Sequence, residues 1–202
     1  MREGASHISD TRARVVVVRE GFILREGPEI KDASSSVSLV ESGGQRMIVD
    51  TGSPRDCTAL RSALGDLGVP VDSIKHLVNT HLHIDHVGCN HLFRNARTYA
   101  HALESPPLGT VKITGSLAVL PGVTIIPTPG HSYGSITVFV DGPKRYAICG
   151  DAIPTRENYQ KHVPPFINVD PLLALKSMEA ITSYADVIVP GHGAPFMVVR
   201  KK

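Results

Sequence analysis

The chain has 202 residues, of which 42% are hydrophobic and 20% charged, with a formal net charge of +2. This composition describes a globular chain with a sizeable core and excludes disordered and fibrous classes. So small a net charge lends no support to a nucleic-acid groove. No apolar run approaches the roughly 20 residues of a membrane span, and the polar first 14 residues lack the apolar stretch of a secretory leader. The cysteines, Cys57, Cys89 and Cys149, are odd in number and widely spaced. They suggest no disulfide framework and point to a reducing, cytoplasmic setting.

Residues 1–13 are polar and read as a flexible N-terminal arm, followed by one domain over 14–202. Four consecutive valines at 15–18 predict a strand, and Gly21, Gly27 and Pro28 predict turns around residues 22–24. Gly43 and Gly44 separate two apolar runs, as in a hairpin. A helix follows, with Ser53 as cap, Pro54 at its first position and Asp56 three residues after the cap. Cys57, Leu60, Leu64 and Leu67 share one face, and Gly68 stops the helix. Strands are predicted at 74–78, 97–100, 123–126, 135–140 and 145–149. Asp170 and Pro171 open a second helix carrying Leu172, Leu175, Met178 and Ile181, and a strand at 186–189 ends the series. Hairpins mixed with strand–helix–strand units predict an α/β sandwich.

The two halves echo each other. Asp50 ends a strand, a capped helix and a second strand follow, and His81 comes next; Asp151 and His192 stand in the same relation. The extra length of the second half falls in residues 154–169, the candidate substrate loop.

Three histidines and one aspartate lie within six residues, at His81, His83, Asp85 and His86. Alternate positions 81 and 83 can face one way from an extended turn, and Asp85 and His86 turn toward a second position. His131 lies in a Pro/Gly-rich turn, Asp151 at the end of an apolar strand, and His192 in a Pro-Gly-His-Gly run after the last strand. Imidazole and carboxylate are ligands for zinc, iron or manganese. These seven donors exceed the four to six that one ion uses and suit two ions with one bridging carboxylate.

The ordered set His81-x-His83-x-Asp85-His86, His131, Asp151, His192 resembles the metallo-β-lactamase superfamily over nearly the whole chain. The resemblance implies the four-layer αβ/βα metallo-β-lactamase sandwich with metals at one edge. It implies that His81, His83 and His131 hold a first ion, that Asp85, His86 and His192 hold a second, and that Asp151 bridges. Asp50 matches a position that orients a ligand rather than binding metal. Residues 85–93 and 189–196 are most similar to a smaller nuclease-like group, the metallo-β-lactamase-domain-containing proteins of animals and their microbial relatives. The short tail after His192 leaves no room for the glutathione-binding domain of glyoxalase II.

These readings lead to a dinuclear metal-dependent hydrolase with two divalent ions, zinc first and iron or manganese as alternatives. Asp85 and Asp151 are the catalytic candidates, Asp85 positioning the nucleophile. Phosphodiesters, with RNA as natural substrate, rank first; lactones, thioesters and β-lactams follow as small-molecule substrates. Tyr133, Arg156 and Lys161 are the candidate substrate contacts, with His162 beside them. A mononuclear iron persulfide dioxygenase is the alternative of another class; it has no need of Asp85, His86 and His192. The oligomeric state stays open, a homodimer among the options, and no membrane partner is expected.

Overall fold

The structure, a computed structural model, describes residues 12–200. The valine run lies in β1 (Arg14–Arg19), followed by β2 (Phe22–Glu26), β3 (Glu29–Ser34), β4 (Val37–Ser42) and β5 (Gln45–Val49). Helix α1 (Cys57–Asp66) leads to β6 (His76–Val78), and the single turn α2 (Ile84–Val87) leads to β7 (Arg97–His101). Then come β8 (Val111–Ile113), β9 (Leu117–Leu120), β10 (Val123–Pro127), β11 (Ile136–Asp141) and β12 (Arg145–Gly150). Helices α3 (Arg156–Lys161) and α4 (Pro171–Tyr184) precede β13 (Val187–Pro190) and β14 (Phe196–Met197).

Two six-stranded sheets form, in the orders β1-β4-β5-β6-β7-β8 and β14-β13-β12-β11-β10-β9. Alternation along β5 explains the layers. Met47 and Val49 point between the sheets, where they meet Ile125, Ile136, Val138, Ile148 and Val189. Ile48 points the other way, with Leu77, against Leu60 and Leu64 of α1. On the far side, Ala147, Cys149 and Ile188 meet Met178 and Ile181 of α4. The result is the expected α/β four-layer sandwich, helix–sheet–sheet–helix. Its central strands are apolar on both faces because both faces are covered.

The echo between the halves corresponds to two matching units. Strands β5 and β6 run parallel around α1, and β12 and β13 run parallel around α4. Asp50 and Asp151 therefore leave their strands at the same edge as His81 and His192.

Helix α4 is capped as expected, with the Leu173 N–H donating to Asp170 Oδ1 at 2.9 Å. Its buried face differs from the expected one. Leu172 is exposed, and Ala174 and Ser177 join Met178 and Ile181 inside. The reason is the chain beneath: a Cβ on Gly130 would lie 2.3 Å from the Ala174 backbone, and Ser177 donates to the Pro129 carbonyl at 2.6 Å. Only small side chains fit there. Strands β2 and β3 form a separate hairpin where the sequence suggests only turns. Of the expected arm, residues 1–11 lie outside the described ones, whereas Ala13 is buried in the core. Among the described residues no helix is long and apolar enough to cross a membrane.

The expectation of three reduced cysteines is corrected. Cys57 and Cys89 form a disulfide, and only Cys149 is a free thiol, buried and with its pKa pushed well up by that burial. Sequence spacing hides the pair because its cause is tertiary. Gly88 lies directly on the 53–54 backbone, a Cβ there falling 2.2 Å from the Pro54 nitrogen, and this close approach puts Cys89 beside the start of α1. Closing a loop across a sequence separation of 32 residues is worth about 3–4 kcal/mol in the chain-entropy account. Reduction, or the Cys57→Ser/Cys89→Ser double variant, is therefore expected to lower the thermal midpoint by roughly 10 °C. A midpoint unmoved by reductant in differential scanning calorimetry would overturn this.

Candidate metal centre

Five strand or loop ends converge at the edge where the sheets meet. His81 and His83 follow β6, Asp85 and His86 sit in α2, His131 follows β10, Asp151 follows β12 and His192 follows β13. The structure brings all seven sequence-predicted donors together. They fall into three overlapping sets: His81, His83 and His131; His81, His86 and Asp151; and Asp85, His86 and His192.

The hydrogen bonds of the first set determine where its lone pairs point. His131 Nδ1–H donates to the Ile167 carbonyl at 2.7 Å, which leaves Nε2 as the bare nitrogen of the neutral ring. The Thr80 hydroxyl donates to Asp50 Oδ2 at 2.7 Å and accepts from His81 Nδ1–H at 3.3 Å, so His81 Nε2 is bare as well. That nitrogen lies 3.2 Å from His131 Nε2, which in turn lies 3.1 Å from His83 Nδ1. Ligands on a tetrahedral zinc at the usual bond length are about 3.3 Å apart. Burial pushes His81 well below the ordinary histidine pKa and lowers His131 too. Both are thus kept in the neutral form that binds metal.

The set of Asp85, His86 and His192 uses the same logic. His192 Nδ1–H donates to the Ser34 carbonyl at 3.0 Å, and His86 Nδ1–H donates to Asp50 Oδ2 at 2.8 Å. His192 Nε2 faces Asp85 Oδ2 at 3.6 Å, and His86 Nε2 lies 3.9 Å from the same oxygen. Asp151 stands between this set and that of His81, His83 and His131. Its Oδ1 is 3.3 Å from His192 Nε2 and 3.5 Å from His86 Nε2, and its Oδ2 is 3.6 Å from His131 Nε2.

Two atoms show that this arrangement fits metal ions. His86 Nε2 and Asp151 Oδ1 are buried with no hydrogen-bond partner. Orphaned buried polar atoms carry a desolvation penalty that a cation between them removes. Without a cation, charge within the cluster compensates in part. Burial acts to lower the pKa of His86 and of His192, but Asp50 and Asp151 around the first and Asp151 beside the second outweigh it and raise both. Burial acts to raise that of Asp151, and His86 and His192 hold it well below the usual carboxylate range.

The frame around the donors is equally specific. Asp50, in the left-handed region at φ 55°, accepts the Thr80 N–H at 2.8 Å besides orienting His86. This bears out its expected orienting place. Gly191 admits Asp151, since a Cβ there would fall 2.0 Å from Oδ1. Glu104 is a positioning residue that the sequence does not reveal. Its Oε2 accepts the Leu82 N–H at 3.0 Å, and its Oε1 accepts from the Ser132 hydroxyl at 2.6 Å and the Gly134 N–H at 3.2 Å. One carboxylate thereby ties the loop of His81 and His83 to the loop of His131. No motif marks it; it lies in a short turn after β7, distant in sequence from both loops.

The donors floor a cavity of about 350 Å³. One wall is the β2–β3 hairpin, through Ile23, Arg25, Ile30 and Lys31; the other is the 154–169 segment, through Pro154, Pro165, Phe166 and Ile167. The candidate substrate loop is thus a wall of the cavity and also supports His131. The individual contacts expected within it are elsewhere. Arg156 and Lys161 belong to α3 and are not among the residues lining this cavity; Lys161 lines an adjoining pocket that shares Arg25 and Phe166 with it, and pairs with Glu157 one helical turn back. His162 faces Glu179, and Tyr133 is exposed beyond the cavity lining. The hairpin, unrecognised in the sequence, contributes the cationic residues of the lining, Arg25 and Lys31.

The sequence profile of the metallo-β-lactamase superfamily matches residues 30–112. The chain is 35% identical over 178 residues to a Methanocaldococcus jannaschii protein named a probable metallo-hydrolase, spanning 88% of this chain and 86% of that one. It is 31% identical over 213 residues to metallo-beta-lactamase domain-containing protein 1 of Xenopus laevis, spanning 97% and 86%. It is 30% identical over 195 residues to N-acyl homoserine lactonase of Bacillus thuringiensis, spanning 83% and 77%. A crystal structure of a Bacillus thuringiensis AiiA variant with N-decanoyl-L-homoserine at its active site has the same fold, at TM-score 0.73 and 22% identity, covering 92% of this chain and 94% of that one. The chain belongs to the metallo-β-lactamase superfamily. It is a metal-dependent hydrolase of that family.

Two outcomes follow from the geometry. Gly191→Ala must displace Asp151 and is expected to weaken metal binding by about 10- to 100-fold while leaving the circular dichroism spectrum intact. Unchanged metal retention after dialysis against a chelator would refute this. Metal affinity is also expected to rise with pH. His86 and His192, both raised above the ordinary histidine range by their carboxylate neighbours, hold protons in the metal-free site that must leave before the lone pairs face an ion. Competition against a chromophoric chelator at pH 6, 7 and 8 measures the slope, about one decade per pH unit for each proton released. A flat profile contradicts the assignment.

Proposed function

We propose that this hydrolase cleaves a carboxylic ester bond, in a lactone or related acyl compound such as a thioester, with two divalent ions held by the donors above, zinc first among them. The observation that carries this is the chemistry of the cavity. A polar floor of His83, Asp85, His131, Asp151 and His192 lies beneath walls rich in Ile23, Ile30, Ile84 and Ile167. A compact substrate with a hydrolysable polar group and an apolar segment fits that division. The lactonase relative supports the same bond class.

Bound divalent ions supply Lewis acidity, polarising the oxygen of the scissile bond and bringing the ionisation of water toward neutral pH. The chain's own residues do the rest. Asp151, kept ionised by its histidine neighbours, joins the two donor sets. Asp85, partly exposed on the cavity floor, accepts the hydrogen bond of the attacking water and carries its proton toward the leaving oxygen. Ile84 and Ile167, exposed on the cavity lining, offer apolar surface to the non-reacting part of the substrate.

Phosphodiester hydrolysis is the second reading, favoured by Arg25 and Lys31 on the cavity wall. In the sequence it ranks first through the resemblance to the nuclease-like group; Arg156 and Lys161, the contacts expected alongside, are not among the residues lining the cavity. A one-iron oxygenase reading leaves Asp85, His86 and His192 without a task.

A panel of an acyl-chain lactone, a thioester, a chromogenic β-lactam, a nitrophenyl phosphodiester and single-stranded RNA tests the proposal. The lactone or thioester is expected to have the highest kcat/KM, and Asp151→Ala is expected to lower it more than about 100-fold with loss of bound metal. Faster turnover of the phosphodiester or RNA selects the second reading. Metal analysis of the purified protein is expected to give two ions per chain; full activity with a single iron would refute the two-ion site.

A further inference from the structure

Arg25 stands on the β2–β3 hairpin at the wall of the metal cavity. Its guanidinium lies 5.1 Å from the ring centroid of Phe166, on the opposite wall. A ring face attracts the cation and restrains its position, yet engages none of its five N–H donors as a carboxylate would. The neighbouring cations are already paired. Lys31 contacts Glu29 at 2.7 Å and Glu26 at 3.5 Å, Arg55 pairs with Asp32, and Lys161 pairs with Glu157. Among the described residues no carboxylate lies within ion-pair reach of Arg25. The cavity wall therefore carries one positive charge without a carboxylate partner, with Ile23 two residues before it on β2 and Ile30 opposite it on β3, both lining the same cavity as the donors.

We propose that Arg25 is the specificity-determining residue of the site, and that it pairs with a carboxylate on the substrate at the end remote from the scissile bond. The proposal rests on the ester-hydrolase reading above and adds to it the class of acyl substrate: one with a pendant carboxylate beyond an apolar spacer. A guanidinium fork matches the two oxygens of a carboxylate, and the ring beneath it reduces the side-chain entropy lost on binding. One uncompensated cation balances one negative charge, so a monoanion fits better than a dianionic phosphate.

The test compares two esters of equal chain length with the metal-loaded protein, mono-nitrophenyl glutarate and nitrophenyl valerate, after subtraction of the uncatalysed rates. The wild type is expected to prefer the glutarate. Arg25→Met is expected to lower kcat/KM for the glutarate by about 10- to 100-fold, chiefly through KM, and to leave the valerate within about twofold. Arg25→Lys retains the charge without the fork and is expected to fall between. An equal loss on both esters would mean that Arg25 only braces the hairpin against Phe166, and no loss on either would mean that it does not touch substrate; both overturn the proposal. Isothermal titration with the uncleaved amides glutaranilic acid and valeranilide gives a readout independent of turnover. The acid is expected to bind wild type at least tenfold more tightly than Arg25→Met, and equal affinities overturn the proposal. If the wild type cleaves neither ester, the ester-hydrolase reading fails while the titration still decides the place of Arg25.

Discussion

A buried carboxylate with histidines on both sides constrains the rest of this structure. Asp151 Oδ1 has no hydrogen-bond partner, and Oδ1 and Oδ2 face histidine nitrogens of opposite donor sets. An ionised carboxylate taken out of water costs several kcal/mol unless positive charge surrounds it. Among the described residues that charge comes from His86 after β6 and His192 after β13, which belong to different sheets and meet only at this edge, with the neutral His81 and His131 beside them. The packing between the sheets thus has a chemical purpose at one edge: it delivers ligands from different strands to a common point.

Close backbone approach makes the convergence feasible. Gly191 leaves room for Asp151, Gly150 for the Thr80 side chain and Gly130 for α4. Once in place, the donor loops are joined through groups that bind no substrate. Asp50 holds His86 and Thr80, Glu104 bridges the His81–His83 and His131 loops, and the Cys57–Cys89 disulfide joins the start of α1 to the chain following α2. Each such contact removes a rotational freedom that would blur ligand geometry, which is how outer contacts tune a metal site. Function therefore rests on a cross-braced floor enclosed by two walls. The walls, the β2–β3 hairpin and the 154–169 segment, are local in sequence, and the Ser34 and Ile167 carbonyls tie each of them to a donor histidine of the floor.

The sequence by itself determined the α/β class and the ordered donor set through local signals, and its resemblance to the metallo-β-lactamase superfamily supplied the four-layer arrangement and the orienting place of Asp50. Alternation of apolar residues marks strands, Asp170-Pro171 marks the start of α4, and ligating side chains follow strand ends at short spacing. Only the tertiary structure decided the Cys57–Cys89 pair, the bridging contacts of Glu104, the buried face of α4 and the identity of the cavity walls. Those depend on approaches between residues far apart in the chain. Leu172 is as apolar as Met178, yet it lies outside because Gly130 and Pro129 press on the Ala174 and Ser177 face. Arg25 and Lys161 have the same formal charge in the sequence, but the lysine has a glutamate one helical turn away and the arginine has an aromatic ring from across the cavity. Spacing along a chain records the first kind of relation, and only folding creates the second.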